Sequence, residues 1–271
     1  MENKNDNENC PGGFSEGAKD GPTRISVVTV CFNSEKTLAQ TIRSVLSQSL
    51  APCEYIIIDG CSTDKTLSIA ESFREDFEKK GILYRIVSEK DEGIYDAMNK
   101  GCGLASGELT GILNSDDWYE ENCLFVVDEC FKRTGFDVFY ADLRMVGIKP
   151  DGTEEPLFVK RARKRDYMTS RDWNHPTTFI RTELYRRYHY RNETLHDDYD
   201  LILRLKKAGV RFETEDQVLA DFRMNGTSHK RDIRRAIESC RVKYRIYREN
   251  GYSPLYFFEC FGVELLKLII G

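Results

Sequence analysis

Leu109-Thr-Gly-Ile-Leu-Asn-Ser-Asp-Asp-Trp-Tyr119 is the stretch from which the rest of the chain is read. Its apolar start, Leu109 to Leu113, reads as a buried strand, and it stops at two adjacent acids, Asp116 and Asp117. Two carboxylates side by side repel unless a cation neutralises them. Hard oxygen ligands of this kind suit Mn2+ or Mg2+, which commonly also hold a substrate's phosphates. A solvated Asx turn after a strand would use the same residues, so the surroundings must decide.

Upstream, Ile25-Ser-Val-Val-Thr-Val-Cys-Phe32 reads as a strand rich in β-branched residues, ending at Asn33-Ser-Glu35. A helix follows with Leu38, Ile42, Val45 and Leu46 at helical spacing. Glu54 to Asp59 is a second strand, and a helix is expected from Lys65 to about Lys79. Leu83 to Val87 is a third, leading through Ser88-Glu-Lys-Asp-Glu-Gly93 to a helix from Ile94 to about Cys102. Strand and helix alternate up to Leu109, the signature of a parallel sheet with right-handed crossovers. All C-terminal ends of parallel strands lie along one edge, so Asn33, Asp59 and the Asp116/Asp117 pair should line one crevice, where open α/β sheets bind ligands.

Downstream, a helix is expected after Trp118, running to about Arg133, and a strand over Phe136 to Tyr140. Lys149-Pro-Asp-Gly-Thr153 predicts a hairpin turn, and Lys160 to Arg171 is basic and irregular. Pro176 to Ile180 reads as a strand, Thr182 as a helix cap, Leu195 to Gly209 as a helix with its stop glycine, and Val218 to Phe222 as a last strand. From His229 the pattern is helical, with Ile233, Ile237, Cys240, Tyr244 and Tyr247 forming a stripe. The expected organisation is a polar, disordered leader over residues 1–23, one α/β domain over 24–228 with a mostly parallel central sheet flanked by helices, and a C-terminal helical extension over 229–271.

The chain of 271 residues carries a net charge of −5, which argues against a dedicated nucleic-acid binder. Its nine cysteines include no Cys-x-x-Cys pair, and their use fits the reduced thiols of a cytoplasmic protein. Cys123 and Cys130, seven apart, suit core packing better than metal ligation.

Asp197, Asp198 and Asp200 open the Leu195 helix, where the helix dipole favours anions. Asp198 shares a helical face with Leu201, Ile202 and Leu205, whereas Asp200 falls with Arg204 and Lys207. Asp198 is therefore expected to point inward, a candidate general base near the crevice. His175, in Trp173-Asn-His-Pro176, reads as a buried hydrogen-bonded histidine or a substrate contact. His229, after Asn225-Gly-Thr-Ser228, is a candidate third metal ligand or phosphate contact, with simple surface exposure as the alternative.

Taken in order, these stretches resemble the family 2 glycosyltransferases of the GT-A fold. Ile25 to Glu35 resembles the family's first strand and base-contacting loop, and Ile58-Asp-Gly-Cys-Ser-Thr-Asp64 its second-strand motif. Asp91-Glu-Gly-Ile-Tyr-Asp-Ala-Met-Asn-Lys-Gly101 is similar to the third, Asn114 to Asp117 to the metal motif, and Asp197 to Leu205 to the segment holding the catalytic base. The resemblance implies a metal-dependent, inverting transfer of a sugar from a nucleotide-diphosphate donor to an acceptor hydroxyl. Asn33, Glu35, Asp59, Asp91, Asn99, Asp116 and His175 are then expected to contact the donor, Asp116 and Asp117 the metal, and Asp198 the acceptor proton. Two departures stand out: Gly60 replaces the second acid that many members carry after strand two, and Cys61 stands where glycine is common. A nucleotidyltransferase making the sugar nucleotide could share the sheet and acids, but Asn33-Ser-Glu-Lys-Thr37 lacks the glycine-rich basic loop that chemistry needs. A non-catalytic binding protein of the same fold is the other reading.

Between Lys230 and Arg248 there are eight Lys or Arg against Asp232 and Glu238, and Leu255 to Ile270 is strongly apolar. A basic helix followed by an aromatic, apolar one suits the inner surface of an anionic membrane and a glycan or lipid-linked acceptor of surface-polysaccharide or glycolipid synthesis. A solvated helix with a docked terminal helix, or an oligomer contact, fits the same residues.

Overall fold

A computed structural model describes residues 21–149, 151–165, 169–224 and 233–270, with side chains through Leu266 in the last segment. Strands β1 (Ile25–Cys31), β2 (Glu54–Asp59), β3 (Leu83–Ser88) and β4 (Leu109–Ile112) alternate with helices α1 (Leu38–Leu46), α2 (Thr66–Ser72), α3 (Arg74–Lys79) and α4 (Ile94–Leu104). The four strands are parallel, in the order β3-β2-β1-β4, as the alternation requires. β1 and β2 are buried along their whole length, and their side chains alternate between two cores. Val27, Tyr55 and Ile57 face the layer holding Leu38, Ile42 and Val45 of α1, while Val28, Ile56 and Ile58 face Tyr95, Met98 and Cys102 of α4. A sheet covered on both faces explains why these strands read as continuous apolar runs.

The second half adds β5 (Trp118–Tyr119), α5 (Cys123–Thr134), β6 (Val138–Ile148), β7 (Glu154–Lys160), β8 (Phe179–Arg181), α6 (Thr182–Tyr188), α7 (Asp197–Lys207), β9 (Phe212–Arg223), α8 (Ile233–Glu249) and α9 (Tyr256–Ile270). The sheet continues from β4 as β8-β6-β9-β5, with β7 on β6; β8 is antiparallel to both β4 and β6, whereas β6 and β9 pair in parallel. Cys123 and Cys130 are buried in the core, as expected. The Lys149–Thr153 hairpin is present, with Gly152 at φ +86° supplying the left-handed position. Gly209, at φ +73°, follows α7 as its stop.

Local pattern misjudged several lengths. The helix expected over 65–79 divides at Phe73, β6 and β9 run far past the apolar stretches that announced them, and Pro176 lies in a 3-10 turn ahead of β8. Thr182 is the first helical residue, not a cap, and its hydroxyl is 2.8 Å from that of Thr110. β6 and β9 stabilise one another across more than 70 positions of sequence, a pairing no local period reports. The leader expected over 1–23 lies outside the described residues as far as position 20.

Gly111, inside β4, sets the spacing beneath the Asp116/Asp117 loop. A methyl group there would fall 2.7 Å from Phe179 Cδ1 and 2.9 Å from the Tyr119 hydroxyl, in a site with no room to yield. Gly111→Ala is expected to destabilise the fold by about 1–3 kcal/mol through overpacking. Urea unfolding measures it, and an unchanged midpoint would show that the two rings move aside.

Candidate active site

Four strand ends meet at one edge of the sheet, and their loops are tied directly to one another. Asn33, at φ +49°, follows β1; its backbone N–H donates to Ser62 Oγ at 2.8 Å, and its side-chain oxygen accepts from Thr63 N at 2.9 Å. Glu35 accepts from Lys65 N at 3.2 Å, which fixes the β1 loop on the start of α2. Ser34 and Ser115 pair through their hydroxyls at 2.8 Å and bring in the β4 loop. Asp91, after β3, closes the group from the other side. A Cβ on Gly60 would fall inside contact distance of Asp91 Oδ2 and 3.5 Å from the Phe32 ring. Phe32 is itself 63% exposed, so an aromatic face and a carboxylate oxygen converge over a glycine.

Asp117 is fully buried, whereas Asp116 is half-buried. Asp117 Oδ1 accepts the Arg223 backbone N–H at 3.2 Å, and Oδ2 has no hydrogen-bond partner, nor does the buried Asn114 Oδ1. Burial, and then the Asp116 charge, hold the Asp117 carboxyl well above its ordinary range, with Arg223 only partly opposing them. Burial raises Asp116 as well. The Arg223 guanidinium donates to the Asp116 carbonyl at 3.2 Å and to Glu154 at 2.9 Å, and lies 5.0 Å from the centre of the Trp118 ring.

Asp198, in the first turn of α7, is half-buried. Its Oδ1 accepts from the Tyr95 hydroxyl at 3.0 Å and from Tyr199 N at 2.8 Å. Tyr95 is on α4, directly after the β3 loop, so the hydrogen bond connects α7 to the same sheet edge. His175 is half-buried beside the Trp173 ring; burial lowers its pKa, opposed by the nearby Asp198 charge.

These contacts correct three expectations. Asp59 is fully buried, and its carboxylate accepts from Ser88 Oγ at 2.6 Å and Ser62 N at 3.1 Å. It shapes the loop after β2 and is not open to a donor. Asn99 spends both ends of its amide on the Tyr190 backbone, each at 2.8 Å, and so bridges α4 to the segment before α7. Spacing placed Asp198 inward and Asp200 on the face of Arg204; the pairing with Arg204 is present, but Asp200 is the more enclosed acid. That residue is buried, accepting from Arg204 Nε at 2.8 Å and Asn250 Nδ2 at 2.9 Å, while Asp198 is the less enclosed of the two. Asn250, just past α8, closes over this face.

A sequence profile described as Glycosyl transferase family 2 matches residues 26–193, from β1 to the approach of α7. The chain belongs to glycosyl transferase family 2. A UDP-Gal:alpha-D-GlcNAc-diphosphoundecaprenol beta-1,3-galactosyltransferase of Escherichia coli is 27% identical over 245 residues, covering 86% of this chain and 87% of its own. A PGL/p-HBAD biosynthesis glycosyltransferase of Mycobacterium bovis is 35% identical over 101 residues, 37% of this chain, and the match spans only 38% of that relative's length. The solved structure of mannosyltransferase PcManGT from Pyrobaculum calidifontis, in complex with GDP-Man and Mn2+, superposes with a TM-score of 0.65 at 17% identity, covering 93% of this chain and 71% of the other. At that identity the likeness speaks for the fold, and the family 2 chain has the GT-A architecture its motifs implied.

The donor set of this family 2 chain fits a divalent cation in part. Two adjacent carboxylates, one with a buried oxygen lacking any protein donor, are suited to Mn2+ or Mg2+. Among the described residues no third His, Cys, Asp or Glu joins them. His229 lies outside the described residues. Sequence reasoning missed Tyr95, Arg223 and Phe32. Tyr95 stood inside the third motif and could have been found there, whereas nothing local marks Arg223, which reaches Asp117 across 106 positions.

Proposed function

We propose that this family 2 chain transfers a sugar from a nucleotide-diphosphate donor to an acceptor hydroxyl in a single, inverting displacement assisted by a divalent cation. The observation that carries this reading is the convergence of the Asn33, Gly60, Asp91 and Asp116/Asp117 loops at one sheet edge, with the separate carboxylate of Asp198 joined to that edge through Tyr95. Asp198 accepts the proton of the acceptor hydroxyl as its oxygen bonds to the anomeric carbon, and the departing diphosphate takes the electron pair of the broken C–O bond. Tyr95 and the Tyr199 N–H hold that carboxylate by one oxygen, Oδ1. Asp116 and Asp117 would hold the cation, which when bound offsets charge on the leaving diphosphate. Among donor contacts, Asn33 and Glu35 frame the first loop and His175, with its lowered pKa, stands beside Asp198.

Asp91 fills the space that a second acid after β2 would claim, which is why position 60 has no side chain. Its Oδ1 accepts the Gly93 N–H at 3.0 Å, and Oδ2 faces Gly60. A base stacked on Phe32 would present its hydrogen-bonding edge to an acceptor-only group. Bases with a ring N–H at that edge, uracil, thymine or guanine, are matched; cytosine and adenine place a ring acceptor there. The E. coli relative, whose name gives a diphosphoundecaprenol-linked acceptor, supports a lipid-linked or glycan acceptor in surface-polysaccharide or glycolipid synthesis.

The test is a screen of nucleotide sugars for released diphosphate, with Mn2+ and after chelation. Release from a uridine, thymidine or guanosine donor, lost on chelation, is the expected result. Metal-independent release, or activity only with cytidine or adenosine donors, contradicts the reading. Pyrophosphate exchange into a nucleotide sugar would favour a nucleotidyltransferase instead.

A further inference from the structure

Helix α9 is turned inside out. Its acids in the described stretch point inward: Glu264 is buried, 2.7 Å from the buried Lys243 of α8, and Glu259 is half-buried with neither oxygen hydrogen-bonded. Its apolar residues point outward. Phe258 is 70% exposed, and Phe257, Phe261, Leu265 and Leu266 are exposed with it. At about 100° per residue these side chains occupy roughly half of the helix circumference. That half carries no charged side chain among the described residues. A terminal helix packed on a solvated domain has the opposite polarity. Ile237 of α8, also exposed, joins the face across the groove it shares with Phe257, Phe261 and Leu265.

The charges around this face select its occupant. The exposed residues of α8 include Arg234, Arg235, Arg241, Arg245 and Arg248 against Glu238 and Glu249, and Arg241 lines the apolar groove itself. A twofold contact between copies would set like-charged rims close together, which opposes association. Anionic headgroups above acyl chains complement both parts at once. No described helix is long and apolar enough to cross a membrane, so the face would lie in the interface.

We propose that the α8–α9 hairpin is a docking surface for an anionic lipid bilayer, with the exposed phenylalanines inserted at the acyl boundary and the α8 arginines against the headgroups. The surface bears on the reaction through α7. His196 Nε2 and Ser239 Oγ lie 2.9 Å apart, Tyr199 and Tyr247 pair at 2.9 Å, and Asn250 donates to Asp200, so the docked hairpin and the Asp198 helix form one packed unit.

Flotation of the full chain with vesicles tests it without donor or acceptor, so failure here is separate from failure of the transfer reading. The chain should float with phosphatidylglycerol/phosphatidylethanolamine vesicles, at least tenfold less with phosphatidylcholine alone, and less as salt is raised. Phe258→Glu combined with Phe261→Ser, both at exposed positions, should cut flotation at least tenfold while the melting temperature holds. Arg241→Glu with Arg245→Glu should remove the preference for the anionic lipid. No flotation with either vesicle overturns the proposal. So does a dimer in sedimentation that the phenylalanine variants dissolve, since that would assign the face to a second copy.

Discussion

Asp198→Asn is expected to slow sugar transfer by about 10²–10⁴-fold with donor affinity unchanged, the usual loss when a positioned general base is removed. Asparagine keeps the shape and can still accept from Tyr95 and the Tyr199 N–H, so packing at the start of α7 should survive. What it lacks is the ability to take the acceptor's proton. A structural role for Asp198 would show the reverse pattern, a lowered melting temperature with a preserved rate per folded molecule. Calorimetric titration of the donor and steady-state kinetics on the same preparation separate the two. Full transfer activity in the variant would remove Asp198 from the reaction and with it the single-displacement scheme. Tyr95→Phe provides a graded companion: it deletes one hydrogen bond to the same oxygen and should shift the pH profile of the rate while leaving donor binding alone.

Asp117→Asn should have two opposite effects, and their combination is diagnostic. In the metal-free protein the substitution removes a buried carboxylate whose Oδ2 has no partner. The folded-state pKa of Asp117 is raised, so its contribution to stability is full below the unfolded value and is lost as pH rises toward the folded one. Near neutral pH the asparagine variant is therefore expected to melt about 2–4 °C higher, the response of a domain of this size to about 1 kcal/mol. The same change removes a charged ligand, and Mn2+-dependent donor binding should fall by about two orders of magnitude, corresponding to about 2.7 kcal/mol. Thermal unfolding without metal and donor titration with Mn2+ read the two separately. A variant that melts lower and still binds donor in a metal-dependent way would make Asp117 a structural acid, its Oδ1 serving only to hold the Arg223 backbone. Chelation of the metal-loaded wild type should reproduce the binding loss and lower the melting temperature, since a cation held only by the folded state stabilises it.

Both expectations rest on residues the sequence announced, but the announcement was uneven. Asp116 and Asp117 were legible because an apolar run ended on two adjacent acids, and a charge pair of that kind needs a reason wherever it occurs. Asp198 was reached by a face argument that paired Asp200 correctly with Arg204 but did not foresee that Asp200 would be the more enclosed, because Asn250 from beyond α8 meets it. Asp59 and Asn99 sat in the right motifs, yet their polar atoms are consumed inside the protein. Arg223 was invisible: an arginine at the end of a strand has no local signature, and its importance comes from meeting a carbonyl and a tryptophan ring of the 116–118 loop and a glutamate of β7.

Residue patterns alone specify the parallel half of the sheet and the edge where its acids gather. Period, strand composition and the alternation of strand with helix are local properties, and chirality then allows few ways to connect them. Long-range packing sets the antiparallel continuation through β8, the long β6–β9 pairing, which motif residues keep their polar atoms free of internal partners and which way α9 turns its phenylalanines. Those depend on partners far apart in the chain, and burial of a polar atom or exposure of an apolar ring is a property of the partner as much as of the residue.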